Sequence, residues 1–140
     1  MRVLLIIWIA LSSMMIKVDS FFGVNYIGMS KNEIKQMISE NHKALKLNTV
    51  NTNDKYNYLK YEDRINEITV LFFLSEDDNC TLVRLMSDYS NINDILDDLN
   101  SIYIPIDKSN WKFKDAENLI INLEEGDWFF TITIREKDKE

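Results

Sequence analysis

Four residue types are scarce in this chain, and each scarcity removes a class of chemistry: there are one cysteine, one histidine, one proline and three glycines among 140 residues. The single cysteine, Cys80, cannot close an internal disulfide, so the fold has to be held by its hydrophobic core alone. The single histidine, His42, cannot supply a zinc site or a metal-binding histidine pair. Gly23, Gly28 and Gly126 are too few and too scattered for a glycine-rich phosphate loop, and no nucleophile elbow is present. With no cofactor or metal signature, the chain is expected to be non-enzymatic.

Positive charge is also in deficit. Sixteen Lys and Arg face 23 Asp and Glu, a formal net charge of −7. Such a balance favours solubility and repels phosphate backbones, so nucleic acid and anionic membrane surfaces are not expected partners, whereas proteins with basic patches fit.

The N-terminus has the organisation of an export signal. Arg2 supplies a positive start, Val3 to Leu11 is almost wholly apolar, and Val18-Asp19-Ser20 carries residues that a signal peptidase tolerates. A membrane-spanning helix needs roughly 20 apolar residues. Here the run is broken by Ser12-Ser13 and closed by Lys17 and Asp19, so no stable membrane insertion is expected after cleavage. No cysteine lies at the cut, which excludes a lipidated N-terminal cysteine. The expectation is a signal peptide over 1–20, a single domain over 21–140, and a periplasmic or extracellular location. Loss of Arg2, Lys17 and Asp19, a net of +1, takes the charge from −7 to −8. The abundance of Asn, Ile, Lys and Asp fits an AT-rich bacterial genome.

Beyond residue 20 the pattern predicts α+β architecture: an antiparallel sheet of five to six strands with two helices packed on one face. Ser30-Lys31-Asn32-Glu33 is a capping box that starts a helix ending near Asn41. The Asn-, Thr- and Asp-rich stretch 48–54 predicts a loop. Strand signals follow at Tyr56 to Tyr61, Ile68 to Leu74 and Cys80 to Met86, the last two joined by the turn Ser75-Glu76-Asp77-Asp78-Asn79. Ser90 predicts the cap of a second helix whose Ile92, Ile95, Leu96 and Leu99 share one face. After the break at Pro105, Trp111 and Phe113 alternate, and Leu119 to Leu123 and Trp128 to Ile134 form a final hairpin around Glu124-Glu125-Gly126-Asp127. The order of helix, strands, helix, strands suggests a distant duplication.

Chemical constellations are weak. A Cys80–His42 dyad has no local motif to support it. The turns Glu76-Asp77-Asp78 and Glu124-Glu125-Gly126-Asp127 lack the spacing of a calcium loop and predict solvated turns. What does stand out is Ile68 to Leu74, which is apolar on both faces and so needs cover on each side. Leu71, Phe73, Val83, Leu85 and Phe129 are therefore the candidate partner surface, with another envelope protein as the expected partner. The alternative is a small-ligand or glycan module using an aromatic cleft, with Trp111 or Tyr58 exposed beside carboxylates. Oligomeric state is not legible.

One family likeness can be drawn from Tyr26-Ile27-Gly28-Met29-Ser30-Lys31-Asn32-Glu33-Ile34, a glycine turn and capping box just after the export segment. That opening, followed by a helix and hairpin strands, resembles the start of small exported BamE-like and β-lactamase-inhibitor-like α+β domains. The resemblance covers nine residues and implies a compact, non-catalytic binding domain at the cell envelope. The lipidated cysteine and the Gly-x-Pro after the helix found in BamE are absent, and Ile38-Ser39-Glu40 stands in the latter position.

Overall fold

The structure is a computed structural model that describes residues 20–52 and 56–138. Apart from Ser20, the expected signal peptide over 1–20 lies outside the described residues. Two helices, α1 (Lys31–Asn41) and α2 (Ile92–Ile102), accompany eight strands: β1 (Lys46–Thr52), β2 (Asn57–Asp63), β3 (Ile68–Leu74), β4 (Cys80–Asp88), β5 (Ile104–Pro105), β6 (Asn110–Lys112), β7 (Leu119–Glu125) and β8 (Phe129–Glu136). All eight belong to one sheet in the order β1-β2-β3-β4-β8-β7-β6-β5, and every pairing is antiparallel. Each half of the chain is thus a helix followed by a four-stranded meander. The halves join where β4 pairs with β8, so the strand order reads alike from either edge.

Eight strands correct the expected five or six. The two additions, β1 and β5, are the sheet's outer strands. An outer strand pairs on one side only and need not carry alternating apolar residues, so Lys46–Thr52 has the composition of a loop although its backbone runs along β2. In β5, Pro105 is tolerated for the same reason: an edge position does not need its missing N–H.

The sequence signals at the helix starts resolve differently. At α1 the capping box forms in full: the Glu33 amide donates to Ser30 Oγ at 3.3 Å, and the Ser30 amide donates to the Glu33 carboxylate at 3.1 Å. At α2 the expected cap, Ser90, lies within a 3-10 turn over Tyr89–Asn91; Asp88 caps that turn by accepting the Ser90 amide at 2.9 Å, and Asn91, the N-cap of α2, makes no side-chain cap bond. Ile34 and Ile38 of α1 and Ile95 and Leu99 of α2 are buried. They pack over the face made by Leu59, Phe72, Val83, Ile134, Ile121 and Trp111, which the pairing register aligns in one row across the sheet. Trp111 fixes α2 to this face by donating its indole N–H to Asn100 at 2.8 Å.

The segment preceding α1 is part of the core. Phe22 and Tyr26 are buried, and the Phe21 ring stacks on Tyr26 with centroids 4.9 Å apart. The Tyr103 hydroxyl donates to the Phe22 carbonyl, and that of Tyr26 to the Phe21 carbonyl at 3.1 Å. Ser20 caps the turn Phe21–Gly23 and donates to Asp98 of α2 at 2.8 Å. Gly28, at φ +89°, turns the chain into β-type bonds with Cys80, a left-handed geometry that glycine adopts without strain.

Candidate binding face

Side chains alternate across a strand, and directly paired residues share a face. With one face under the helices, the other presents Tyr58, Phe73 and Leu82 in one row and Lys60, Leu71 and Arg84 in the next. Glu62, Thr69, Met86 and Thr131 form the third row, and Asp88 with Phe129 closes the series at the end of the β7–β8 turn. None of the described helices lies over these rows. Leu71, Phe73, Leu82 and Met86 are half-buried by their neighbours in the sheet alone.

Of the five residues expected to form a partner surface, the fold brings three together. Leu71 and Phe73 sit side by side on the open face, and Phe129 stands at its end, 45% exposed. Val83 and Leu85 do not join them: they pair with Phe72 and Val70, point at the helices and are buried. Their places on the open face belong to Leu82 and Met86. The signal for this was present in the sequence, because Arg84 lies between Leu82 and Met86 on the same side of β4, and a strand turns its charged set to water. Register against β3 does the rest, with Thr81 left as the extra residue where pairing shifts between Phe73 and Leu74.

Together these residues shape a trough of about 800 Å³ lined by Tyr58, Lys60, Leu71, Phe73, Leu82 and Arg84, with Thr69 and Met86 at its far end. Past those two it continues into a hollow of about 320 Å³ bounded by Glu67, Asp88, Trp128 and Phe129. The Tyr58 and Phe73 rings lie 5.9 Å apart, and the Arg84 guanidinium sits 5.9 Å from the Phe73 ring centre. On the same face Glu62 is engaged: Lys60 reaches it at 3.3 Å and Arg64 at 3.8 Å. Hydrogen bonds from Asn48 and Lys60 hold its carboxyl below the usual range.

Trp128 is 85% exposed, and its turn is held in place. The Gly126 amide donates to the Phe129 carbonyl at 2.9 Å, and the Tyr89 hydroxyl donates to the Gly126 carbonyl at 2.5 Å. Alternation along the chain would group Trp128 with Phe130, Ile132 and Ile134. The strand begins one residue later, at Phe129, which leaves Trp128 in the turn.

Elsewhere the structure separates the groups that chemistry would need together. Cys80 is buried, and burial pushes its thiol up to about 12, far from the thiolate a nucleophile requires. His42 lies at the opposite end of α1, whose first residue bonds to Asp78; eleven helical residues span roughly 16 Å. Trp111 is buried in the core rather than exposed in a cleft, and the charges lining the trough are cations rather than the carboxylates a glycan site predicts. A second hollow, of about 480 Å³, opens beside β1 between Lys46, Leu47, Glu62 and Arg64. Its carboxylates are already engaged, Glu62 as above and Asp63 by the Asn66 amide and side chain at 3.1 and 2.7 Å. Among the described residues no three metal-ligating side chains converge, and no helix is long and apolar enough to cross a membrane.

Comparison with protein-family models, with curated proteins and with solved structures returns no match. The functional reading therefore rests on the face itself.

Proposed function

We propose that this chain is an exported, non-enzymatic binding domain of the bacterial cell envelope that takes another protein on the open face of its sheet. The observation that carries the reading is the row of half-buried apolar side chains, Phe73, Leu82, Leu71 and Met86, on a face that none of the described helices covers. The buried core cluster on the opposite face is closed by α1, α2 and the segment before α1. Such a patch is unusual on a monomer's exterior unless something docks there. Trp128 and Phe129 at its end add the large, rigid contact area typical of anchoring residues. The envelope location rests on the N-terminal segment and on the resemblance carried by Gly28 to Ile34.

The test is recovery of the tagged full chain from its native host, alongside Leu71→Asp and Phe73→Asp variants and a distal Lys108→Glu control. A partner retained by the wild type and the control and lost from both face variants, in an envelope fraction whose chain begins at or near Phe21, is the expected result. Retention by all four proteins, or a cytoplasmic full-length chain, overturns the proposal.

A further inference from the structure

The chemistry of the occupant follows from the shape and charge of the trough, and the step rests on the docking proposal above. We infer that the trough takes an amphipathic α-helix of a partner protein, about four turns long, with its carboxylates over Arg84 and its basic end beside Glu67 and Asp88.

A helix is the element that fits. Strands β2, β3 and β4 each have a neighbour on both sides, so their backbone groups are engaged within the sheet and this face offers side chains only. An extended segment laid across it would leave its own amides and carbonyls unpaired over apolar surface, whereas a helix satisfies them internally. Three strands about 4.8 Å apart span roughly 10 Å between the outer axes, about the width of a helix. From Phe73 to Glu67 along β3 and its turn the trough runs about 20 Å, the length of about 13 helical residues. The same sheet is covered in this way on its other side by α1 and α2. Two copies of the concave face laid together would instead leave a void between them.

Charge gives the helix its chemistry and direction. The chain carries −7 overall, yet among the described residues the main trough is lined by Lys60 and Arg84 and by no Asp or Glu. Lys60 is paired with Glu62. Arg84 is exposed, and among the described residues no carboxylate lies within ion-pair distance of it. In the adjoining hollow the sign reverses, with Glu67 and Asp88 present and no cation among the described lining residues. A helix with acidic side chains towards its C-terminus, laid with that end over Arg84, matches both halves, and its own dipole adds to the match.

The experiment is selection from a display library of random 16-residue peptides on the immobilised full chain. Enriched peptides are then titrated against wild type, Arg84→Glu, Phe73→Ala and Lys108→Glu, with circular dichroism of the bound peptide and sedimentation of the chain alone. The inference expects apolar residues three and four apart, acidic residues grouped at one end and helix gained on binding. Affinity should fall about tenfold or more in Arg84→Glu and Phe73→Ala and stay unchanged in Lys108→Glu. Leu82→Ser replaces Phe73→Ala only where circular dichroism shows that variant to be unfolded at the assay temperature. Peptides sensitive to Phe73→Ala but indifferent to Arg84→Glu, or bound without helix, overturn the acidic helix and leave open-face docking standing. Peptides indifferent to both Phe73→Ala and Leu71→Ala, or no enriched peptide at all, overturn open-face docking as well. A dimer of the chain that Phe73→Ala dissociates makes a second copy the occupant and overturns the inference.

Discussion

Phe72 and Phe73, adjacent on β3, stand on opposite sides of the sheet in opposite environments. Phe72 has no exposed surface and packs its ring 5.1 Å from Tyr26 and 5.9 Å from Tyr61, while Phe73 lies half-buried under Tyr58 and Arg84. Phe72→Ala should therefore cost about 3–5 kcal/mol, the range for removing a core aromatic. Phe73→Ala should cost about 1 kcal/mol, since the surface it loses is partly wet already. Urea denaturation of the two variants gives both values, and equal losses would contradict the two-faced assignment.

Gly126 and Gly23 provide a matched test of backbone crowding. A Cβ on Gly126 would meet the Phe129 carbonyl oxygen at 2.7 Å, whereas one on Gly23 would meet nothing within 4 Å. Gly126→Ala has to push the turn apart and should destabilise the domain by about 1–3 kcal/mol. It should also loosen Trp128, seen as lower steady-state fluorescence anisotropy. Gly23→Ala should change neither.

The segment Phe21 to Tyr26 is a structural part of the domain, so shortening the chain should show a sharp threshold. Of the described contacts, a chain starting at Phe21 loses the Ser20 cap and its bond to Asp98 and should fold, at a loss of about 1 kcal/mol. One starting at Ile27 also loses two buried aromatics and the Tyr103 to Phe22 hydrogen bond. Each aromatic is worth about 3–5 kcal/mol against a typical total of about 5–15, so that chain should not fold. Thermal melts of the two proteins decide the matter.

Alkaline pH should unfold the protein earlier than surface phenols would suggest. Burial pushes the Tyr103 phenol and the Cys80 thiol each up to about 12 and raises Tyr61 and, with the Tyr103 charge adding to it, Tyr26. In the unfolded chain these groups ionise near about 10 for tyrosine and about 8.5 for cysteine. The folded state binds the protons more tightly, so stability is fully present below about pH 8 and declines as pH rises towards 12. The urea midpoint should be flat from pH 7 to 8 and fall steadily above 9. A midpoint that holds to pH 11 would contradict the burial of these groups.

Local signals wrote much of this fold into the chain. The Ser30–Glu33 capping box fixed the start of α1 because its bonds join residues three apart. The apolar run Ile68 to Leu74 marked β3 as an interior strand with two faces to cover, and it lies between β2 and β4. Four of the five candidate surface residues come from strands whose two side-chain sets were read correctly, yet the sets were matched across strands the wrong way: Leu71 and Phe73 share their face with Leu82 and Met86.

That error has a physical origin. Alternation along a strand is a property of the chain itself, so the sequence determined which residues of β3, and which of β4, share a side. Which side of β4 meets which side of β3 depends on register, and register is decided by the bulge at Thr81 and by the helices that choose a face to cover. The edges β1 and β5 were invisible for the same reason, since only a neighbour's hydrogen bonds make Lys46–Thr52 and Ile104–Pro105 strands. Sequence by itself thus determined a small acidic α+β domain with strands too apolar to stand alone. Tertiary structure decided that the apolar residues left uncovered by the described helices lie together in one trough, with Arg84 in it and Trp128 at its end, because only non-local pairing sets distant strands side by side.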